Sequence, residues 1–207
     1  MRKLRYRKKA RCLTVRSDNG LREPSSFITR RQVEQALTSV GSNRLSVCFT
    51  GHRYLPAGDM QRLSQRLDAL LMLCYSHGYR DFFCGGALGF DMLAAERVSA
   101  LRMEHADVRL ILVIPCSDQM SRWSKQNTAR YERILYAADD IRVLSPFYYE
   151  GCMQVRNRYM VDHSSLCVCY LRHAKGGTAS TVAYAVKEQV PVLNAAMEDV
   201  CAAFPVN

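Results

Sequence analysis

The stretch Cys84–Asp91, CGGALGFD, holds three glycines within five positions and an acid directly behind them. Glycine lets a backbone approach a phosphate and aim N–H groups at it, and a following helix adds its positive amino end. The same residues also suit a tight turn. The match to the dinucleotide fingerprint G-x-G-x-x-G is partial: Gly86 and Gly89 hold its second and third places, Cys84 stands at the first, and Gly85 is displaced by one. A second candidate is Gly176-Gly177-Thr178, where Thr178, Ser180 and Thr181 offer hydroxyl donors and Thr178 alternatively serves as a helix cap. A third is Gly51-His52-Arg53, whose guanidinium fork suits phosphate or carboxylate. Asp91 falls in the first turn of a helix, where it complements the dipole or accepts from a ribose hydroxyl. Arg156 and Asn157 lie in a helical stretch and point either into a cleft or to solvent. Trp123, the only tryptophan, stacks on a base or packs.

Several chemistries lack their residues. There is no G-x-x-x-x-G-K-[ST], which argues against a Walker-type ATPase, and no G-x-S-x-G. His52, His77, His105, His163 and His173 have no ligand spacing among themselves, so no metal site is expected. The nine cysteines include no C-x-x-C pair, which fits unpaired buried thiols in a reducing compartment, the cytoplasm. No apolar run approaches the roughly 18–20 residues that span a bilayer, and no secretory signal follows the first charges.

These residues must be positioned by an alternation of short apolar runs and helical patterns. The apolar runs are Leu45–Thr50, Asp81–Cys84, Arg109–Pro115, DIRVLS, Ser165–Leu171 and VPVLN. Between them Met60, Leu63, Leu67, Leu70, Leu71 and Cys74 share one helical face, and FDMLAAERVSALRME, ARYERILYAAD, CMQVRNRYMVDHS and TASTVAYAVKEQ also read as helices. The expected apolar faces are Met153, Tyr159, Met160 and Val161 in the fourth helix, and Val182, Ala183, Val186 and Val190 in the fifth. Strands apolar throughout are buried on both faces, so the alternation predicts a Rossmann-like three-layer α/β/α domain with a mostly parallel sheet. Ligands bind such sheets beyond the carboxyl ends of the strands, where all three glycine clusters fall.

The charge sits elsewhere. Residues 1–44 hold 12 Lys/Arg against 3 Asp/Glu, so nearly all of the net +10 lies in the first fifth of the chain. Arg2, Lys3, Arg5, Arg7, Lys8, Lys9 and Arg11 are too dense to pack. A flexible basic arm is predicted over residues 1–25. A short helix and linker follow over 26–43, with a capping pattern at Thr29 and Gln32, an apolar stripe at Val33, Leu37 and Val40, and a stop at Gly41. The domain occupies 44–207. Any nucleic-acid affinity is expected in the arm, weak and non-specific, rather than in the domain. No membrane partner is expected, and the oligomeric state stays open, a homo-oligomer included.

The segments VCFTGHRYLP, FFCGGALGFDMLAAE, LILVIPC, Trp123, RYERIL, MQVRNRYMVDHSSLCVCYL and KGGTASTVAYA occur in the order seen in the YpsA-like branch of the SLOG superfamily, which the chain resembles from Arg44 to Asn194. The resemblance implies a bacterial Rossmann-like domain that binds a nucleotide or nucleotide-derived ligand such as ADP-ribose, and a sensor or regulatory role in stress or cell division. Related groups are the DprA-type DNA-processing proteins and the LOG-type phosphoribohydrolases. The LOG-type loop P-G-G-x-G-T-x-x-E carries a catalytic Glu. Here Ala174–Thr181 lacks the proline and one glycine, and Thr181 stands where the Glu would be. Without that carboxylate, cleavage of a ribosyl bond lacks its usual agent, and only Asp91 or Asp162 remain as substitutes. Three readings stay open: a nucleotide-ligand sensor, a nucleotide-processing enzyme, and a DprA-like nucleic-acid-binding protein.

Overall fold

The computed structural model describes residues 45–197; the basic arm, the helix expected at 26–43 and the last ten residues lie outside the described residues. Six strands form one sheet: β1 (Leu45–Gly51), β2 (Tyr79–Cys84), β3 (Arg109–Ile114), β4 (Asp140–Val143), β5 (Leu166–Tyr170) and β6 (Val192–Asn194). Their order is β4-β3-β2-β1-β5-β6, and every pairing is parallel. The expected fold class is therefore present.

Five helices fill the crossovers: α1 (Met60–Ser76), α2 (Phe90–Glu104), α3 (Lys125–Ala137), α4 (Cys152–Asp162) and α5 (Gly177–Lys187). Alternate strand residues face opposite ways, so the sheet feeds two cores. Phe49, Phe82, Leu110 and Leu112 pack with Leu63, Leu67, Met92 and Ile134 from α1–α3. Cys48, Phe83, Ile111, Val113 and Cys167 pack with Met160, Val161 and Ala185 from α4 and α5. The chain therefore lays three helices on one face, returns from edge strand β4 to β5 beside β1, and lays the last two on the other. The loops after β1 and β5 part toward opposite faces at that reversal, which makes the crevice in which such sheets bind ligands.

Three expectations shift. Helix α3 begins at Lys125, four residues before the expected start, because Ser124 caps it by accepting from Asn127 N–H. The buried stripe of α4 is Cys152, Arg156, Met160 and Val161, so an arginine takes a place expected to be apolar. In α5 the buried residues are Thr178, Thr181 and Ala185, whereas Ala183 and Val186 are exposed. The stripe is rotated toward Thr181, whose hydroxyl is hydrogen-bonded to Gly177 and Asn157 and can therefore be buried. The seven described cysteines are all free and buried.

Candidate functional site

Most of the glycines at the carboxyl edge have a packing reason. A Cβ on Gly51 would run into the Phe90 ring, and one on Gly89 into the main chain of His52 and Arg53. Gly89 has φ +90°, and the amide N–H of Phe90 donates to His52 C=O at 3.1 Å. This turn therefore lays the β1 loop directly on the start of α2. A Cβ on Gly85 would occupy the place of the Arg156 guanidinium and lie 2.6 Å from an Asp91 oxygen. A Cβ on Gly86, at φ +61°, would lie 2.7 Å from the Tyr131 ring. The glycines of CGGALGFD thus make room for protein groups at each of these positions.

Arg156 reaches from α4 across the end of β2, and its Nη1 donates to Asp91 Oδ2 at 3.3 Å. Both side chains are buried, 5% and 7% exposed, so neither is left to solvent or to the helix dipole. Burial raises the Asp91 carboxyl to about 6, against the downward pull of Arg156. The pair does not use all its hydrogen-bonding capacity. Arg156 Nε, Tyr131 OH and Gln119 Oε1 are buried with no hydrogen-bond partner among the described residues, while Gln119 Nε2 donates to Gly86 C=O at 3.2 Å. Three unused polar atoms thus surround the turn at Gly85 and Gly86, a place where a polar ligand atom or a buried water fits. Trp123 packs edge-to-face on Tyr131 at 5.2 Å, which favours its packing role over base stacking.

At the reversal between β1 and β5, the Arg172 amide N–H donates to His52 Nε2 at 2.9 Å. That bond places the imidazole proton on Nδ1. Burial, His173 and Arg172 hold the His52 pKa below its ordinary value, so His52 is neutral at pH 7 and offers a donor rather than a charge. Asn194 fastens the same loop: its Oδ1 accepts from Leu171 N–H at 3.0 Å and its Nδ2 donates to Leu171 C=O at 2.9 Å. Arg53 is exposed.

The turn before α5 differs from the others. Gly176, at φ +96°, is the helix cap, and no side chain caps the first N–H groups. The cap is therefore not Thr178, which is buried in the first turn. Nothing lies within 4 Å of a Cβ placed on Gly176 or Gly177. The Thr181 hydroxyl donates to Gly177 C=O at 2.9 Å and accepts from Asn157 Nδ2 at 2.7 Å. Ser180 donates to Gly176 C=O at 3.2 Å. These contacts hold the open amino end of α5 against α4.

The structure therefore brings Gly51, His52, Arg53, Gly85, Gly86, Gly89, Asp91, Arg156, Asn157, Gly176, Gly177 and Thr178 to one edge of the sheet. Sequence reasoning missed Tyr131, Gln119 and Asn194. Of these only Asn194, a polar residue closing an apolar strand, carried a signal. Asp162 is at the last turn of α4, toward the amino end of the strands, and accepts from Tyr184 OH at 2.8 Å. An open depression of about 550 Å3 beside Met103 and Ala137 also lies at that far end. Among the described residues no three His, Cys, Asp or Glu side chains converge as metal ligands would, and no helix is long and apolar enough to cross a membrane.

Comparison with known proteins follows the same lines. The chain is 32% identical over 142 residues to the uncharacterized SPbeta prophage-derived protein YoqJ of Bacillus subtilis, covering 62% of this chain and 82% of that protein. It is 28% identical over 156 residues to the UPF0398 protein BH1768 of Halalkalibacterium halodurans, covering 74% and 80%. Among solved structures it resembles DNA processing protein A of Helicobacter pylori, described for its single-stranded DNA binding mode, at TM-score 0.51 and 23% identity. It also resembles DprA of Streptococcus pneumoniae, at TM-score 0.52 and 17% identity. Each alignment takes in 76% of this chain but only 66% and 50% of those longer chains, and identities this low establish the fold alone. The family model that matches residues 57–197 settles the relationship: the chain belongs to the YspA SLOG family.

Proposed function

We propose that the carboxyl edge of the sheet binds a nucleotide or a nucleotide-derived ligand of the ADP-ribose type, and that the protein acts as a sensor or regulatory component. The observation that carries this reading is the uncapped, open amino end of α5 at Gly176 and Gly177. It lies at the sheet's reversal point, where free N–H groups and the helix dipole attract a phosphate. Neutral His52 supplies a donor beside it, and exposed Arg53 supplies the mobile charge.

Gly177→Asp tests the reading without disturbing the fold, because the site around Gly177 is open and an acid in a first helical turn is favourable. Calorimetric titration with ADP-ribose and AMP is expected to show at least ~100-fold weaker binding, about 2.7 kcal/mol. The melting temperature is expected to stay unchanged. Absence of wild-type binding to any nucleotide below millimolar concentration would sink the proposal.

The geometry supports binding more than ribosyl cleavage. Thr181 stands at the place of the LOG-type Glu, is 4% exposed, and spends its hydroxyl on Gly177 and Asn157. Asp91 is committed to Arg156, and Asp162 is at the wrong end of its helix. Incubation with AMP followed by chromatography is therefore expected to release no free base. Turnover in the ordinary enzyme range of roughly 1–1,000 per second would replace the sensor reading with an enzymatic one.

A further inference from the structure

We infer that the ligand held at this edge is one unit of a single-stranded polynucleotide, whose neighbouring bases stack on exposed rings of the loops after β1 and β4. The inference rests on the nucleotide site proposed above and gives it a polymeric ligand. Among the described residues five aromatic side chains are prominently exposed, and four of them stand at the carboxyl edge: Tyr54 at 85%, Phe147 at 75%, Tyr148 at 62% and Tyr149 at 45%. Exposed rings cost solvation, and four gathered at the end of the molecule that carries the open glycine turn call for a partner.

The three consecutive rings are held in place. Ser145 Oγ donates to Phe147 C=O at 2.7 Å and accepts from Phe147 N–H at 3.3 Å. Beyond them Cys152 N–H donates to Tyr149 C=O at 3.1 Å, and Ser145 C=O accepts from Ser117 N–H at 3.2 Å. A tripeptide fastened at both ends loses little freedom when a base stacks on it. Strand spacing puts β4 roughly 14 Å from β1, three steps of about 4.8 Å. Phe147–Tyr149 and Tyr54 thus flank the Gly86 turn, and the α5 terminus lies one strand further on.

Cations interleave with the rings. Arg53, Arg122, Lys125 and Lys175 are exposed and form no ion pair among the described residues, and Arg172 pairs only with Asp59 at 3.3 Å. Stacking faces alternating with cations are how proteins hold single strands. A duplex hides its base faces, so it does not fit. Exposed rings and arginines also suit a protein interface, and the cations that stand at this edge without a counterion among the described residues favour a strand that carries phosphates. Asp118 and Glu150 lie in the same loops but are fewer than the cations, so binding combines stacking with charge and is expected to weaken as salt rises.

The test uses the full chain with Arg2, Lys3, Arg5, Arg7, Lys8, Lys9 and Arg11 changed to Gln, which silences the arm. Fluorescence anisotropy with a labelled strand of ~12 nucleotides is expected to show at least ~10-fold tighter binding than the matching duplex or AMP. Phe147→Ala, Tyr148→Ala and Tyr149→Ala together are expected to weaken strand binding about 30-fold or more. AMP affinity and melting temperature are expected to hold, since the rings are exposed. If AMP binds but the strand binds no tighter, the polymer inference falls and the nucleotide site stands. If neither binds, both fall. Loss of strand binding on neutralising the arm overturns the inference, as does a triple variant that keeps strand affinity and loses self-association instead.

Discussion

Gly89→Ala is expected to destabilise the fold by about 2–6 kcal/mol, a large share of the stability of an ordinary domain. Two costs add. Gly89 sits at φ +90° and ψ −122°, a region open in practice to glycine alone, and forcing another residue there costs about 1–3 kcal/mol. The new methyl would also meet the main-chain carbonyls of Arg53 and His52 rather than a side chain that can turn aside. The His52 carbonyl is fixed by Phe90 N–H at 3.1 Å, and overpacking of such a site costs roughly another 1–3 kcal/mol. Gly177→Ala supplies the contrast. It has no neighbour within 4 Å of the added carbon and no left-handed φ, so it should be neutral or stabilise by about 0.4–1 kcal/mol through the unfolded chain. Urea unfolding of the two variants beside the wild type reads the difference. A loss below about 1 kcal/mol for Gly89→Ala would mean that the β1 loop is not seated on α2 as the structure has it.

Two glycine motifs that read alike in sequence thus separate by what approaches them. The fold was legible because apolar strands such as Leu110–Ile114 and Leu166–Tyr170 must be covered on both faces, and a local pattern states that requirement. The place of the site was legible too, since the ends of predicted strands can be located without knowing their neighbours. The roles of Gly85 and Gly86 were not. They depend on Arg156, 65 residues beyond Asp91, and on Tyr131, which arrive over the strand end from helices on opposite faces. Arg156 was hard to place for the same reason. A charged residue in a helix reads as cleft-lining or exposed, and only a distant carboxylate makes its burial tolerable. The α5 stripe was misread because Thr178 and Thr181 count as polar by type, while the burial of Thr181 depends on its bonds to Gly177 in its own turn and to Asn157. Tyr131 and Gln119 lie in α3 and the loop before it, and nothing local marks either as facing Gly86.

Removing Arg156 should cost more than neutralising Asp91, and the gap should depend on pH. Asp91→Asn leaves a guanidinium buried without its counterion, and arginine cannot shed its proton to escape. Breaking a pair that is firmly ionised typically costs about 3–5 kcal/mol, but burial raises Asp91 to about 6, so the fold tolerates its neutral form and Asn costs much less. Arg156→Met leaves a carboxyl, which can take up a proton. Burial already raises Asp91 from 3.8 to about 6 while Arg156 pulls it down, so without Arg156 it must rise further. A carboxyl with a raised native pKa makes the folded state hold more protons than the unfolded one, and stability is then lost as pH climbs from the unfolded value to the native one. In the wild type that loss runs from about pH 4 to about pH 6 and then stops. In Arg156→Met it should continue above about pH 6 at up to ~1.4 kcal/mol per pH unit until the new native pKa is reached. Near pH 5 Asp91→Asn should therefore be the milder variant, and Arg156→Met should cost about 1–3 kcal/mol from lost hydrogen bonding and packing. By about pH 8 the gap should have widened, because Arg156→Met alone still loses stability as its buried carboxyl is forced to ionise, while Asn has no proton to lose. Urea midpoints of the three proteins across this range measure the divergence. Parallel profiles for wild type and Arg156→Met would show that Arg156 does not control the Asp91 proton. A loss of about 3–5 kcal/mol for Asp91→Asn near pH 5 would show that the carboxyl is ionised there and that Arg156 outweighs its burial.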